Sequence, residues 1–160
     1  MKYICIKTVA IYLLATLPLL ANASTHKVKI THSVMVGDGI AKFIPEGFDA
    51  QKIPSFAIEK EPREQGALPA DWVLVPEFSL TDGKANASLT VPEGTSIYGG
   101  GEVTGSLLRN GKTIKLWNTD SGAYGVDKGT RLYQSHPWMM GVRKDGTAFG
   151  ILFDTTWKAE

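Results

Sequence analysis

Turn signals recur along this chain at intervals suited to short strands. Gly37-Asp38-Gly39, Pro45-Glu46-Gly47, Asp82-Gly83, Pro92-Glu93-Gly94, Asn110-Gly111 and Lys144-Asp145-Gly146-Thr147 each put reversal-prone residues together. Between them the apolar residues follow a period of two. Val28, Ile30, Val34 and Val36 share one face with His32, while Lys27, Lys29, Thr31, Ser33 and Met35 share the other. Such alternation over residues 27–36 predicts a half-buried strand, with His32 in or at the edge of the core. Further strands are predicted over 40–44, 55–59, 72–75, 78–80, 87–91, 107–109, 112–117, 132–142 and 148–153. Pro76 and Pro137 mark edges or bulges, because proline has no ladder donor. Residues 60–70, charged and carrying Pro62, Gly66 and Pro69, read as a solvated loop. No window shows a helical period, a repeat or low complexity. The chain is therefore expected to be all-β, a sandwich or barrel.

The first residues stand apart from this pattern. Lys2 and Lys7 precede an apolar run over residues 8–20, and Ala21-Asn22-Ala23 has the small-x-small form of a signal-peptidase site. The run is shorter than the roughly 20 residues a spanning helix needs. Residues 1–23 are thus expected to be a cleaved signal peptide, with cleavage between Ala23 and Ser24, and residues 24–160 a β-sandwich domain. Secretion or a periplasmic location follows, with no membrane attachment after cleavage. The single cysteine, Cys5, would leave with the leader, so the domain would have no disulfide. Lys2 and Lys7 would leave too, leaving 15 basic and 16 acidic residues. This near balance does not suggest a nucleic-acid partner.

The residues that could carry chemistry cluster after residue 96. Gly99-Gly100-Gly101 lacks the glycine at 104 that a dinucleotide fingerprint needs, and no Lys-Ser/Thr pair follows. Its glycines are better read as a backbone device, allowing positive φ and close passage against another element. Trp117 beside Asn118 and Asp120 could bind sugar, an aromatic face on C–H groups with a carboxylate accepting hydroxyls. Equally, Trp117 could be core and Asp120 a turn residue. Residues 121–130, with Gly122, Gly125, Gly129 and Tyr124, have the composition of a mobile functional loop. His136 has no Ser or Cys nucleophile motif beside it and is read as structural. Three scattered histidines form no metal-ligand pattern, and no cofactor is expected. Asn86-Ala87-Ser88 fits a glycosylation sequon, which matters only in a eukaryotic secretory route.

Four blocks in order complete the reading: Tyr98-Gly99-Gly100-Gly101-Glu102, Leu116-Trp117-Asn118-Thr119-Asp120, Leu132-Tyr133-Gln134-Ser135-His136-Pro137 and Gly146-Thr147-Ala148-Phe149-Gly150-Ile151. Together they resemble glycoside hydrolase family 31, the α-glucosidase family, in its N-terminal region. The resemblance is close over residues 97–154 and loose over 28–91. It implies an antiparallel, galactose-mutarotase-like β-sandwich ahead of a (β/α)8 catalytic barrel. It also implies an α-linked oligosaccharide substrate, and a sandwich loop over the barrel mouth whose aspartate contacts sugar. The matching residue here is Asp120. The family's retaining mechanism uses two carboxylates, which sit on barrel strands. Such a barrel takes ~250 residues, and its nucleophile motif, an aspartate followed by Met-Asn, does not occur in this chain. No catalytic residue is therefore assigned, and Glu102, Asp127 and Asp154 are not offered as a pair. The chain is expected to be the N-terminal part of a longer α-glycosidase, inactive alone. The alternative is a noncatalytic carbohydrate-binding sandwich stacking sugar on Trp117, Tyr124, Tyr133 and Trp138. A third possibility is a purely structural domain.

Overall fold

The alternation over residues 27–36 is present, yet it serves two different sheets. The computed structural model describes residues 6–11, 25–49, 52, 63–124 and 126–160. Its strands are β1 (Ile6–Ile11), β2 (His26–Val28), β3 (Ile30–Gly37), β4 (Ile40–Pro45), β5 (Glu77–Thr81), β6 (Lys84–Ser88), β7 (Ser96–Gly99), β8 (Trp138–Val142) and β9 (Ala148–Phe153). Six form one sheet in the order β3-β4-β1-β9-β8-β7, and three form a second in the order β2-β5-β6. The predicted strand breaks at Lys29, with β2 entering the small sheet and β3 the large one. Burial still alternates through the break: Val34 and Val36 are buried, Thr31 and Ser33 exposed. A register irregularity between Ile30 and His32 absorbs the change of direction. His32 is half-exposed, with its Nε2 2.7 Å from the Glu64 carboxylate.

The core lies between the two sheets. Ala41 and Phe43 of β4 and Phe149 and Ile151 of β9 meet Phe78 of β5, with Trp72 and Leu74 completing the buried cluster. Each Phe contributes about 1.5–3 kcal/mol by leaving water. This is an all-β sandwich, and its pairings are antiparallel except those of β1, which runs parallel to both β4 and β9. β1 comes from the segment read as leader. The β3–β4, β5–β6 and β8–β9 hairpins reverse at predicted turns. Asp82 and Gly83, joining β5 to β6, have φ of 50° and 70°, the mirror-image turn whose twist suits a hairpin. Between β8 and β9, Asp145 accepts from the Thr147 amide at 2.9 Å and from its hydroxyl at 2.7 Å.

Several predicted strands are not strands. Residues 72–75 alternate buried and exposed but join no ladder. The Trp72 indole donates to the Leu74 carbonyl at 2.9 Å, occupying an acceptor, and Pro76 supplies no donor. The 87–91 strand shifts back to β6. Residues 107–109 and 112–117 do not pair as a hairpin around Asn110-Gly111. Instead Arg109 N donates to Ile97 O at 2.7 Å, Ile97 N to Asn110 Oδ1 at 2.8 Å, and Asn110 Nδ2 to Thr95 O at 2.8 Å. One asparagine thus closes the outer edge of β7. The 132–142 strand begins only at Trp138, after Pro137. Residues 121–130 contain two 3₁₀ turns, Gly122–Tyr124 and Val126–Gly129. The described part of the 60–70 loop is mostly exposed but also touches β3. Gln65 N donates to Met35 O at 2.7 Å, and Met35 N to Gly66 O at 2.8 Å. The predicted 55–59 strand and the Ala23/Ser24 cleavage point lie outside the described residues.

Candidate functional site

The site begins with two glycines that admit another chain segment. Gly99, Gly100 and Gly101 all have positive φ, at 114°, 79° and 91°. A Cβ on Gly99 would lie 2.4 Å from the Trp138 carbonyl oxygen, and one on Gly101 2.4 Å from that of Gln134. Bare backbone lets the strands close, so Gly100 N donates to Trp138 O at 2.9 Å and Glu102 N to Gln134 O at 2.8 Å. Farther along, Thr104 N donates to Gly129 O at 2.9 Å. The buried Arg109 locks the turn from behind, its Nε donating to Gly99 O at 3.0 Å and its Nη1 to Ser106 O at 2.6 Å. The sequence reading of this triplet as a backbone device is what the structure contains.

A second seam sets Asp120. Thr119 N donates to Leu132 O at 2.8 Å, and Ser135 N donates to Asn118 Oδ1 at 2.8 Å. Thr119 Oγ1 donates to Trp117 O at 3.0 Å. Segments 117–120 and 132–135 are therefore zipped together outside any sheet. Across this seam the Tyr133 phenol and the Asp120 carboxylate interact through charge and through a hydrogen bond. The charge of Asp120 holds the Tyr133 phenol above its ordinary value near 10.0, and that hydrogen bond adds to it. Slight desolvation and the proximity of Tyr124 and Glu102 contribute less. Four side chains from three separate segments, Glu102, Asp120, Tyr124 and Tyr133, thus share one electrostatic neighbourhood.

The aromatic residues nearby divide into two groups. Trp117, Tyr124 and Tyr133 are 50%, 55% and 53% exposed. Trp138 is not a free face: its ring lies over Gly150, where a Cβ would meet Cη2 at 2.0 Å. It belongs to the packing of the sheet. His136 is exposed, and Asp154 is buried at the end of β9. Trp157, 43% exposed, was not singled out in the sequence because it follows the last patterned strand. It lies close to the Leu116–Ala159 bridge, the pairing that runs beside Trp117. The convergence of Glu102 and Tyr124 on Tyr133 was also missed, since only the folded loops bring 102, 124 and 133 together. An open groove of about 490 Å³, lined by Lys27–Ile30 and Pro76–Phe78, contains none of these residues.

Chemically, this is a platform with a fixed carboxylate, a phenol and several exposed ring faces. A carboxylate accepts charge-assisted hydrogen bonds from paired hydroxyls, and flat rings cover C–H surfaces. Residues 55–160 match the glycosyl hydrolase 31 N-terminal galactose mutarotase-like domain. The chain belongs to that family. Two relatives match part of the chain. "Alpha-glucosidase 2" of Bacillus thermoamyloliquefaciens is 48% identical over 66 residues, covering 41% of this chain and 8% of the relative. "Alpha-glucosidase" of Hordeum vulgare is 42% identical over 80 residues, covering 48% of this chain and 9% of the relative. The chain therefore spans less than a tenth of either α-glucosidase it matches.

Proposed function

We propose that this chain is the N-terminal sandwich of a secreted α-glycosidase, and that Asp120 forms part of the substrate entrance. The reading rests on one observation above the others. Asp120 is exposed, its segment is fixed by the 117–120/132–135 seam, and its charge acts on the neighbouring Tyr133 phenol. Exposed Trp117, Tyr124 and Tyr133 supply apolar faces for sugar rings. The catalytic carboxylates would lie on a (β/α)8 domain following this segment, and the sandwich alone would not turn over substrate.

The test is Asp120→Ala in the enzyme extended through its catalytic domain. Loss of a charge-assisted hydrogen bond predicts a fall in kcat/KM of about 10- to 100-fold, with the melting temperature unchanged. A fall in melting temperature with unchanged kcat/KM would make Asp120 structural. The isolated chain is expected to leave an aryl α-glucoside intact. The three exposed aromatics also favour a second reading, carbohydrate binding without catalysis. Calorimetric titration of the isolated chain with maltose or isomaltose distinguishes it from a half-site that binds only alongside its catalytic domain.

A further inference from the structure

The large sheet holds its two halves together through a single strand. β4 and β9 share no ladder with each other; β1 lies between them, paired with β4 from Thr8 to Ile11 and with β9 from Ile6 to Ile11. Neighbouring strands sit ~4.8 Å apart, so β4 and β9 are separated by a gap one strand wide. This gap lies over the centre of the molecule. Ala41 and Phe43 on one side and Phe149 and Ile151 on the other are four of the seven residues in the buried cluster. The strand filling it is drawn from residues 1–23, whose charged start, apolar run and Ala21-Asn22-Ala23 ending are those of a cleaved leader. The same six residues cannot both be removed on export and hold the sheet shut.

An empty gap would leave two facing rows of backbone amides and carbonyls without partners above an apolar core. Buried backbone groups are almost always paired, and an open strand edge invites pairing with other chains. We infer that in the processed protein the slot between β4 and β9 is filled by a β-strand from polypeptide following Glu160. The inference rests on the secretion reading above. Two observations favour this occupant. First, β9 is followed by residues that leave the slot: Leu116 N donates to Ala159 O at 2.7 Å, carrying the chain end to the 117–120 seam. The residues that follow β9 up to 160 thus run to that seam and away from the slot. Secondly, the relatives are more than ten times longer than the segment they share with this chain, which gives ample sequence for one further strand. Because β4 and β9 run in the same direction, one strand can pair with both in a single sense.

The experiment uses the product of the complete reading frame, exported and purified. Intact mass gives the N-terminus, and hydrogen exchange reads the amides of residues 41–43 and 151–153. A photocrosslinking residue replacing Leu152 then identifies the neighbour by peptide mapping. The expected result is a chain starting at Ser24, slow exchange at both edges, and a crosslink to residues beyond 160 within one molecule. A retained N-terminus with crosslinks to residues 6–11 overturns both this inference and the secretion reading. A start at Ser24 with fast exchange at both edges overturns the inference alone. So does a crosslink to residues 50–62 or between isotopically distinct copies, or a reading frame that stops at Glu160. Exchange is measured on the unsubstituted protein, so a misfolded crosslinker variant does not decide the matter.

Discussion

Tyr133 and Asp120 form a pair whose chemistry can be read directly. Deprotonating the phenol would place a second negative charge beside the carboxylate and remove the bond between them. A phenol raised in this way contributes its stabilisation fully below the ordinary tyrosine range. That contribution is lost as pH rises through the raised value. Spectrophotometric titration should show one tyrosine ionising above the rest, absent in Tyr133→Phe and returned toward 10 in Asp120→Asn. An unmoved titration in Asp120→Asn would mean that the pair is not formed in solution. Gly101 sets the other residue-scale constraint. Gly101→Ala must place a methyl against the Gln134 carbonyl at a φ of 91°. A non-glycine residue in left-handed space costs about 1–2 kcal/mol before any clash, so this variant should lose about 2 kcal/mol or more in denaturant unfolding. Gly111→Ala, at a positive φ but with open space around it, should lose less.

At the scale of elements, the hairpin between β8 and β9 is governed by Asp145. The hydroxyl and amide of Thr147 hold this carboxyl below its usual range, with Arg143 adding to the effect. A depressed acid stabilises the fold above its unfolded pKa, and that contribution fades as pH falls through the depressed value. The melting temperatures of the native protein and Asp145→Ala should therefore differ near neutrality and converge in acid. Strands β4, β5 and β9 were legible because alternation or a short apolar run met a clear turn on at least one side. The segments at 72–75, 107–117 and 132–137 were not. They share the residue types of strands, but side-chain-to-backbone bonds from Trp72, Asn110 and Asn118 occupy the groups that a ladder would use. Period-two patterning reports which side of an extended chain is buried, and says nothing about what its amides bind. The same limit hid the break at Lys29, where alternation continues while the partner sheet changes.

For the whole molecule, the core depends on residues contributed by both sheets. Phe43→Ala and Phe149→Ala remove rings that are fully buried between them. Each should cost about 3–5 kcal/mol, readable as a drop in denaturation midpoint. Asp120 was legible as a candidate through its motif, whereas the neighbourhood formed with Glu102, Tyr124 and Tyr133 required the three-dimensional crossing of separate loops. The outer strands of the large sheet have a consequence of another kind. β7 is covered by Arg109 and Asn110, and β3 by Gln65 and Gly66. Among the described residues, the β7 flank offers no long open row of donors and acceptors to a neighbouring molecule, and the β3 flank is interrupted at Met35. Asn110→Ala should therefore show itself first in light scattering, as particles that grow with concentration while the monomer's unfolding curve hardly moves. By that expectation the short capping contacts act on colloidal behaviour, denying crowded copies an open edge to pair with.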